Sequence, residues 1–152
     1  MTGNISSHFF WEEFACKTKP PTPVPSNLAT NIEELVREIL EPIRSEWAHE
    51  IGEGDPSLEV ISGYRTLDHN TSVGGATHSF HMEGRAADIR PRWAADIPKL
   101  HLLVYRMWKR GNLPQLGGLG FYTGWIHVDT AQAPDGHLRQ WHGDGIGSEE
   151  TT

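Results

Sequence analysis

Apolar positions recur along this chain with two different periods. Ile32, Leu35, Val36, Ile39, Leu40, Ile43 and Trp47 return every three or four residues, which marks one face of a helix. Asn31, with Glu34 three residues on, has the form of a capping box at its start. Pro42 should kink or split that helix, because proline removes a donor and crowds the preceding turn. A second stripe, Leu100, Leu103, Val104, Met107 and Trp108, predicts a helix over 96–110, with Pro98 tolerated in its first turn and Gly111 as its stop. Residues 58–62 and 85–90 read instead as short strands, with Pro91 ending the second. Residues 117–122 and 125–129 read as a hairpin around the turn Thr123 and Gly124, and 139–142 as a last short strand or clamp.

The connecting segments carry weaker signals. The aromatic run at 9–14 suits a short helix capped by Ser7 and packed on a core edge. Four prolines in the stretch 20–25 exclude helix and central strand, and predict a stiff extended wrap on the surface. Residues 66–80 lack periodicity and predict a long loop, the kind of segment that tends to be functional in a compact domain. Residues 143–152 are polar and expected to fray. There is no internal repeat. The sum is an α+β fold in which helices flank a small antiparallel sheet, with residues 1–152 forming one domain.

Composition narrows the function. The formal net charge is −7, which argues against nucleic acid as a partner and against simple electrostatic attachment to an anionic membrane or wall. Cys16 is the one cysteine, so no internal disulfide forms and any metal site must use His and carboxylate. Cys16 itself reads as a small buried residue. No stretch of about 18 apolar residues is present to span a bilayer. The first residues lack a basic run followed by an apolar one, so synthesis in the cytoplasm without a signal peptide is expected.

Nine histidines are many for this length. His81 and Asp88 stand seven residues apart around Gly84, Ala86 and Ala87, and His127 follows on the second strand of the hairpin. Two imidazoles and one carboxylate, with a position left for water, are a common make-up for catalytic zinc. Gly84 lets the backbone turn between the first two, and the alanines keep the strand thin. Asp129 faces the same way as His127 because strand side chains alternate. The same residue types also occur as satisfied polar groups, and two His with one carboxylate also serve non-haem Fe(II) oxygenases. The small number of strands here disfavours the oxygenase, which usually needs a larger β-barrel.

These residues fall into motifs that resemble peptidase family M15, subfamily A: the zinc D-Ala-D-Ala carboxypeptidases, murein endopeptidases and phage endolysins. The carriers are Ser62-Gly63-Tyr64-Arg65, His69-Asn70, Gly74-Gly75-Ala76, Ser79-x-His81-x-x-Gly84-x-Ala86-x-Asp88, Gly117-Gly118-Leu119-Gly120-x-Tyr122 and Ile126-His127-Val128-Asp129, with Phe14 early and Arg139-x-Trp141 late. The resemblance implies a hedgehog/DD-peptidase-like fold. It also implies one zinc held by His81, Asp88 and His127, and peptidoglycan stem peptides or cross-links as substrate. Many members place an acidic base three residues before the last histidine. Gly124 stands there, so Asp129 becomes the expected base. Arg65 is expected to stabilise the oxyanion or bind a stem-peptide carboxylate. Ser79, Tyr122 and His142 are candidates for substrate contact, with His78 a secondary proton donor and Trp125 a further groove residue. A compact acidic monomer of this kind looks most like a phage lysin, reaching the wall after holin-type release or from a virion. A non-catalytic zinc module that binds wall peptides is the rival reading. D-Ala-D-Ala trimming, cross-link cleavage and L-Ala-D-Glu cleavage all fit the same metal centre.

Overall fold

The computed structural model describes residues 1–143. Its apolar stripes form the expected helices. Helix α1 (Ala29–Leu35) continues through a single π turn (Val36–Leu40) into α2 (Glu41–Ile51). Ile32, Leu35, Val36, Ile39, Leu40, Ile43 and Trp47 are all fully buried along its inner face. Pro42 does not split this helix. It occupies the first turn of α2, directly after a π turn that widens the hydrogen-bond ladder where proline cannot donate. Asn31 is not the cap: a 3₁₀ turn (Ser26–Leu28) precedes the helix, and the Asn31 amide instead donates to the Glu83 carbonyl at 2.9 Å. Helix α4 (Ile97–Lys109) buries Ile97, Leu100, Leu103, Val104 and Met107 as its stripe predicts.

Strands β1 (Glu59–Ser62), β2 (Ala86–Arg90), β3 (Gly118–Phe121), β4 (Ile126–Asp129) and β5 (Arg139–His142) make one sheet in the order β1-β2-β4-β3-β5. The first three pairings are antiparallel, but β5 joins β3 in parallel. The sheet is therefore mixed, not purely antiparallel, because residues 130–138 cross the end of β3, where Asp129 and Arg139 both stand opposite Gly118, and β5 pairs on its far side. The α+β class stands.

The sheet has two chemically distinct faces. Val60, Ala87, Ile89, Leu119, Ile126 and Val128 belong to the same buried core as the helical stripes. The alternate residues line up on the other face in two rows across the strands. One row is Ala86, Asp129, Gly118 and Arg139; the next is Ser62, Asp88, His127, Gly120 and Trp141. Period-two alternation thus separates an apolar face from a polar one.

The segment 63–85 lies over the polar face and is more structured than a loop. Helix α3 (Leu67–Ser72) occupies its first part, capped by Thr66, whose hydroxyl accepts from His69 N. Its six residues are too short for a stripe, and Leu67 is 66% exposed, so no apolar period marks it. A 3₁₀ turn (Phe80–Glu83) follows and ends at Gly84, whose φ of 71° is the left-handed conformation expected of it. Earlier, the cap on the short turn Trp11–Phe14 is not Ser7; the Glu13 carboxylate accepts from Phe10 N at 2.8 Å. Phe9, Phe14 and Cys16 are buried as expected. The proline stretch does not run extended throughout: it reverses, with a cis Lys19–Pro20 bond, so that Cys16 and Thr22 pair through their backbones. Of the tail at 143–152 only Gly143 is described, its N–H bonded to Phe121 O; the rest lies outside the described residues.

Glycines in β3 set how closely the polar face packs. A Cβ at Gly118 would run into the Asp129 carboxylate and Arg139 Nη2, and one at Gly120 would meet the Trp141 ring at 2.6 Å. Gly118→Ala should therefore cost about 1–3 kcal/mol in urea or thermal unfolding, as overpacking does. Gly124→Ala, where a Cβ meets nothing within 4 Å, should leave stability nearly unchanged.

Candidate metal centre

Two paired strands and the 3₁₀ turn above them bring the three expected ligands together. Asp88 and His127 are direct cross-strand partners, and His81 hangs over them from its turn. His81 Nε2 lies 3.3 Å from Asp88 Oδ1, and His127 Nδ1 lies 3.1 Å from the same oxygen. Two donors at 2.0–2.1 Å from a tetrahedral ion stand roughly 3.3 Å apart, so these separations fit one divalent ion. The ligand atoms of all three residues lie within 4.8 Å of one another, and the side chains are buried.

The outward nitrogens are also held. His81 Nδ1 donates to Gly63 O at 2.8 Å, and His127 Nε2 to Asp129 Oδ2 at 2.8 Å. Each imidazole therefore has one nitrogen turned to the cluster and its tautomer fixed by the other, as in metal sites whose ligands are oriented from behind. Arg65 Nη2 donates to Asp88 Oδ2 at 3.2 Å, which leaves Oδ1 facing the two rings. Arg139 Nη2 donates to Asp129 Oδ1, and Ala131 N donates to the same oxygen at 2.9 Å.

A family model described as Peptidase M15 matches residues 7–129. The chain belongs to the peptidase M15 family. No curated protein and no solved structure matches it. Membership carries metal-dependent peptidase chemistry, and the His81-Asp88-His127 cluster supplies a donor set suited to it.

The buried charges of the M15 centre compensate one another. Burial works to raise Asp88, but His81 and His127 outweigh it and hold the carboxyl well below its usual range. Burial also works to raise Asp129; the His127 hydrogen bond, with Arg139 behind it, keeps this carboxyl low as well. Burial should lower His127, yet Asp129 and Asp88 together push it up to about 10.

The other expected residues scatter. Arg65 is 7% exposed and forms part of the centre, with further bonds from Nε to Ser62 Oγ at 3.1 Å and from Nη1 to Asn70 Oδ1 at 3.0 Å. Ser79 is buried and caps its own turn by accepting from His81 N, which is a structural use of the hydroxyl. Tyr122 is buried beside the centre, stacked on Trp125 at 4.9 Å and accepting from Trp141 Nε1 at 2.8 Å. His142 is not brought to the cluster. It packs edge-on against Phe121 at 5.5 Å and borders a separate cavity with Phe121, Tyr122 and Thr123. His78 is exposed.

A cavity of about 250 Å³ opens beside Asp88, with Lys17, Arg65, His69, Tyr122 and Trp125 in its wall. Lys17 was not singled out by sequence, since it sits in the proline-rich approach, and His69 entered only within the His69-Asn70 motif, with no role given, because no apolar stripe marks helix α3. Arg139 was seen only as part of a late motif; its partner Asp129 is set by strand register, which sequence spacing does not disclose.

Two outcomes follow for the purified protein. Asp129→Asn should weaken metal affinity about 10–100-fold, as loss of a carboxylate behind a ligating histidine does, whereas His81→Ala should abolish stoichiometric loading; chelator competition measures both. The metal-free protein should lose stability on both sides of a weakly acidic plateau. Asp88 and Asp129, lowered from 3.8, stabilise the fold above that value and lose this contribution as pH falls through their folded-state values. His127, raised from 6.5 to about 10, contributes fully below 6.5 and loses its contribution as pH rises towards 10. Thermal melts across pH in a chelating buffer check this.

Proposed function

We propose that this M15 peptidase is a zinc enzyme that hydrolyses an amide bond in peptidoglycan stem peptides or cross-links. The observation that carries the reading is the shared position of Asp88, which holds the ligand cluster together and also forms the floor of the adjoining cavity. A substrate carbonyl lying in that cavity is presented directly to the ligand set. Zinc held by three protein ligands supplies an acidified water and a Lewis acid for the carbonyl.

The chain's own residues divide the remaining work. Lys17 and Arg65 give the cavity wall two cationic groups, which suit a stem-peptide carboxylate and the charge that develops on the carbonyl oxygen. Arg65 also fixes Asp88, so its position serves the ligand set as well. Trp125 and Tyr122 form an aromatic wall for the peptide backbone.

The base is the point at which geometry redirects the expectation from sequence. Asp129 is fully buried behind the His127 ring, on the nitrogen away from Asp88, and both its oxygens are engaged. We assign it the orientation of His127. His69 is the imidazole that lines the Asp88 cavity, and imidazole is the side chain most often used as a general acid and base. We assign it the proton transfer between water and leaving amine. His69→Gln should keep one metal per chain while turnover falls by about 10²-fold or more.

The sequestration of Asp129 gives weight to a second reading, a zinc-containing module that binds wall peptides without cutting them. Digestion of purified peptidoglycan separates the two. The hydrolase releases new amino termini, stops on chelation and restarts with zinc, and fragment masses name the bond. A protein that binds the same material but releases none is the module. The family resemblance supports a phage-type lysin that acts on the wall after release from the cytoplasm. Among the described residues no helix is long and apolar enough to cross a membrane.

A further inference from the structure

Among the described residues, a larger recess than the one at the metal centre lies elsewhere. A cavity of about 720 Å³ lies further along the β1–β2 edge of the sheet. Leu58, Glu59 and Arg90 line it, whereas Ile61, Ser62 and Asp88 line the cavity at the metal centre. At its mouth stands Trp93, which is 63% exposed. Arg92 lies over the ring at 5.1 Å, and most of the indole remains in solvent. A second recess of about 270 Å³ flanks the same tryptophan and is also lined by Asp55, Arg92 and Lys99. Trp47 lines this recess as well. Its indole N–H is buried and has no acceptor among the described residues, although the residue itself is fully buried.

An exposed indole is an unusual surface to leave uncovered, and its neighbours say what would cover it. The larger cavity carries Glu13, Asp55 and Glu59 against Arg90 and Arg92, so neither sign dominates. Arg90 and Glu59 pair at 3.0 Å and remain 47% and 61% exposed, with donors and acceptors left over for a ligand. Mixed donors and acceptors around a flat apolar face match a neutral, hydroxyl-rich ring. They do not match a polyanion, which needs an excess of positive charge, or an apolar helix, which needs a continuous apolar groove.

We infer that Trp93 and the two recesses beside it form a glycan subsite that binds the N-acetylhexosamine strand of the substrate, with the sugar ring stacked on the indole. This rests on the peptidoglycan reading above and extends it. The placement fits: five residues of chain separate Asp88 from Trp93 and span at most about 18 Å, and a stem of about four residues reaches roughly 14 Å when extended. The two lengths are of the same order, so a strand seated on Trp93 lies about one stem length from the ligand cluster.

The test uses the full metal-loaded chain. Binding of tetra-N-acetylchitotetraose and of peptide-free glycan strands is measured by calorimetry for the wild type, Trp93→Ala and Trp93→Tyr. The inference expects binding in the wild type, a loss of about tenfold or more in Trp93→Ala, and recovery in Trp93→Tyr. It further expects Trp93→Ala to keep wild-type metal content and wild-type turnover of a short free stem peptide, while KM on intact peptidoglycan rises about tenfold. Equal binding by the wild type and Trp93→Ala, or a wild type that binds poly(glycerol phosphate) but neither glycan, overturns the subsite. If the wild type binds glycan through Trp93 yet releases no amino termini from peptidoglycan, the subsite stands and the hydrolase reading falls. If it cuts peptidoglycan and Trp93→Ala behaves identically in both assays, the reverse holds.

Discussion

Both ring nitrogens of His127 are held by carboxylates, and the polar half of this protein is arranged so that those carboxylates can be buried. Asp88 and Asp129 are 2% and 0% exposed, a setting in which an uncompensated charge is prohibitive. Each is therefore backed by an arginine: Arg65 behind Asp88, Arg139 behind Asp129. Read across the sheet, the side chains alternate in sign, Arg65, Asp88, His127, Asp129, Arg139, with the imidazole at the centre. Removing either arginine withdraws a counter-charge from a buried carboxylate. A divalent ion at the Nδ1 side takes up the same role as the proton that otherwise keeps His127 charged.

That chain of charges dictates features of the fold that the core does not need. Arg139 reaches Asp129 only because β5 lies parallel to β3, with Arg139 opposite Gly118 and Trp141 opposite Gly120. Any side chain at those two β3 positions would fill the space that the guanidinium and the indole cross. The family match ends at Asp129, the last residue of β4. The centre is nonetheless incomplete without the following stretch, which carries Arg139 and the Trp141 ring, 5.1 Å from His127. The helices contribute differently. Helices α1, α2 and α4 cover the opposite face of the sheet, and the Asn31 amide of α1 bonds the Glu83 carbonyl at the end of the turn that carries His81.

What sequence disclosed follows from the range of the interactions. The helices at 29–51 and 97–109 and the hairpin were legible because an apolar stripe and a two-residue turn are local signals. The clustering of His81 with Asp88 was legible because they share one turn and strand, with Gly84 marking the bend between them. Asp129 was legible as a neighbour of His127 but its task was not: the period of two places it on the same face, and only the ring orientation shows that it lies behind the imidazole. Helix α3 escaped because an exposed six-residue helix has no stripe. The capping role given to Asn31 failed because the same side-chain chemistry serves a tertiary bond equally well, and the effect of Pro42 was absorbed by a π turn that no local pattern announces.

Net charge misleads here for a related reason. A formal charge of −7 argues against attraction to anionic surfaces, yet the wall of the metal-centre cavity carries Lys17, Arg65 and His69, with Asp88 as its carboxylate. Asp88 is neutralised by Arg65 and by any ion its oxygen shares, so the field inside the cavity is set by the cations. Bulk repulsion acts over a Debye length of about 8 Å at physiological salt, whereas the cavity acts at contact. A negative exterior around a positive cavity admits a small anionic terminus and resists adsorption to polyanions.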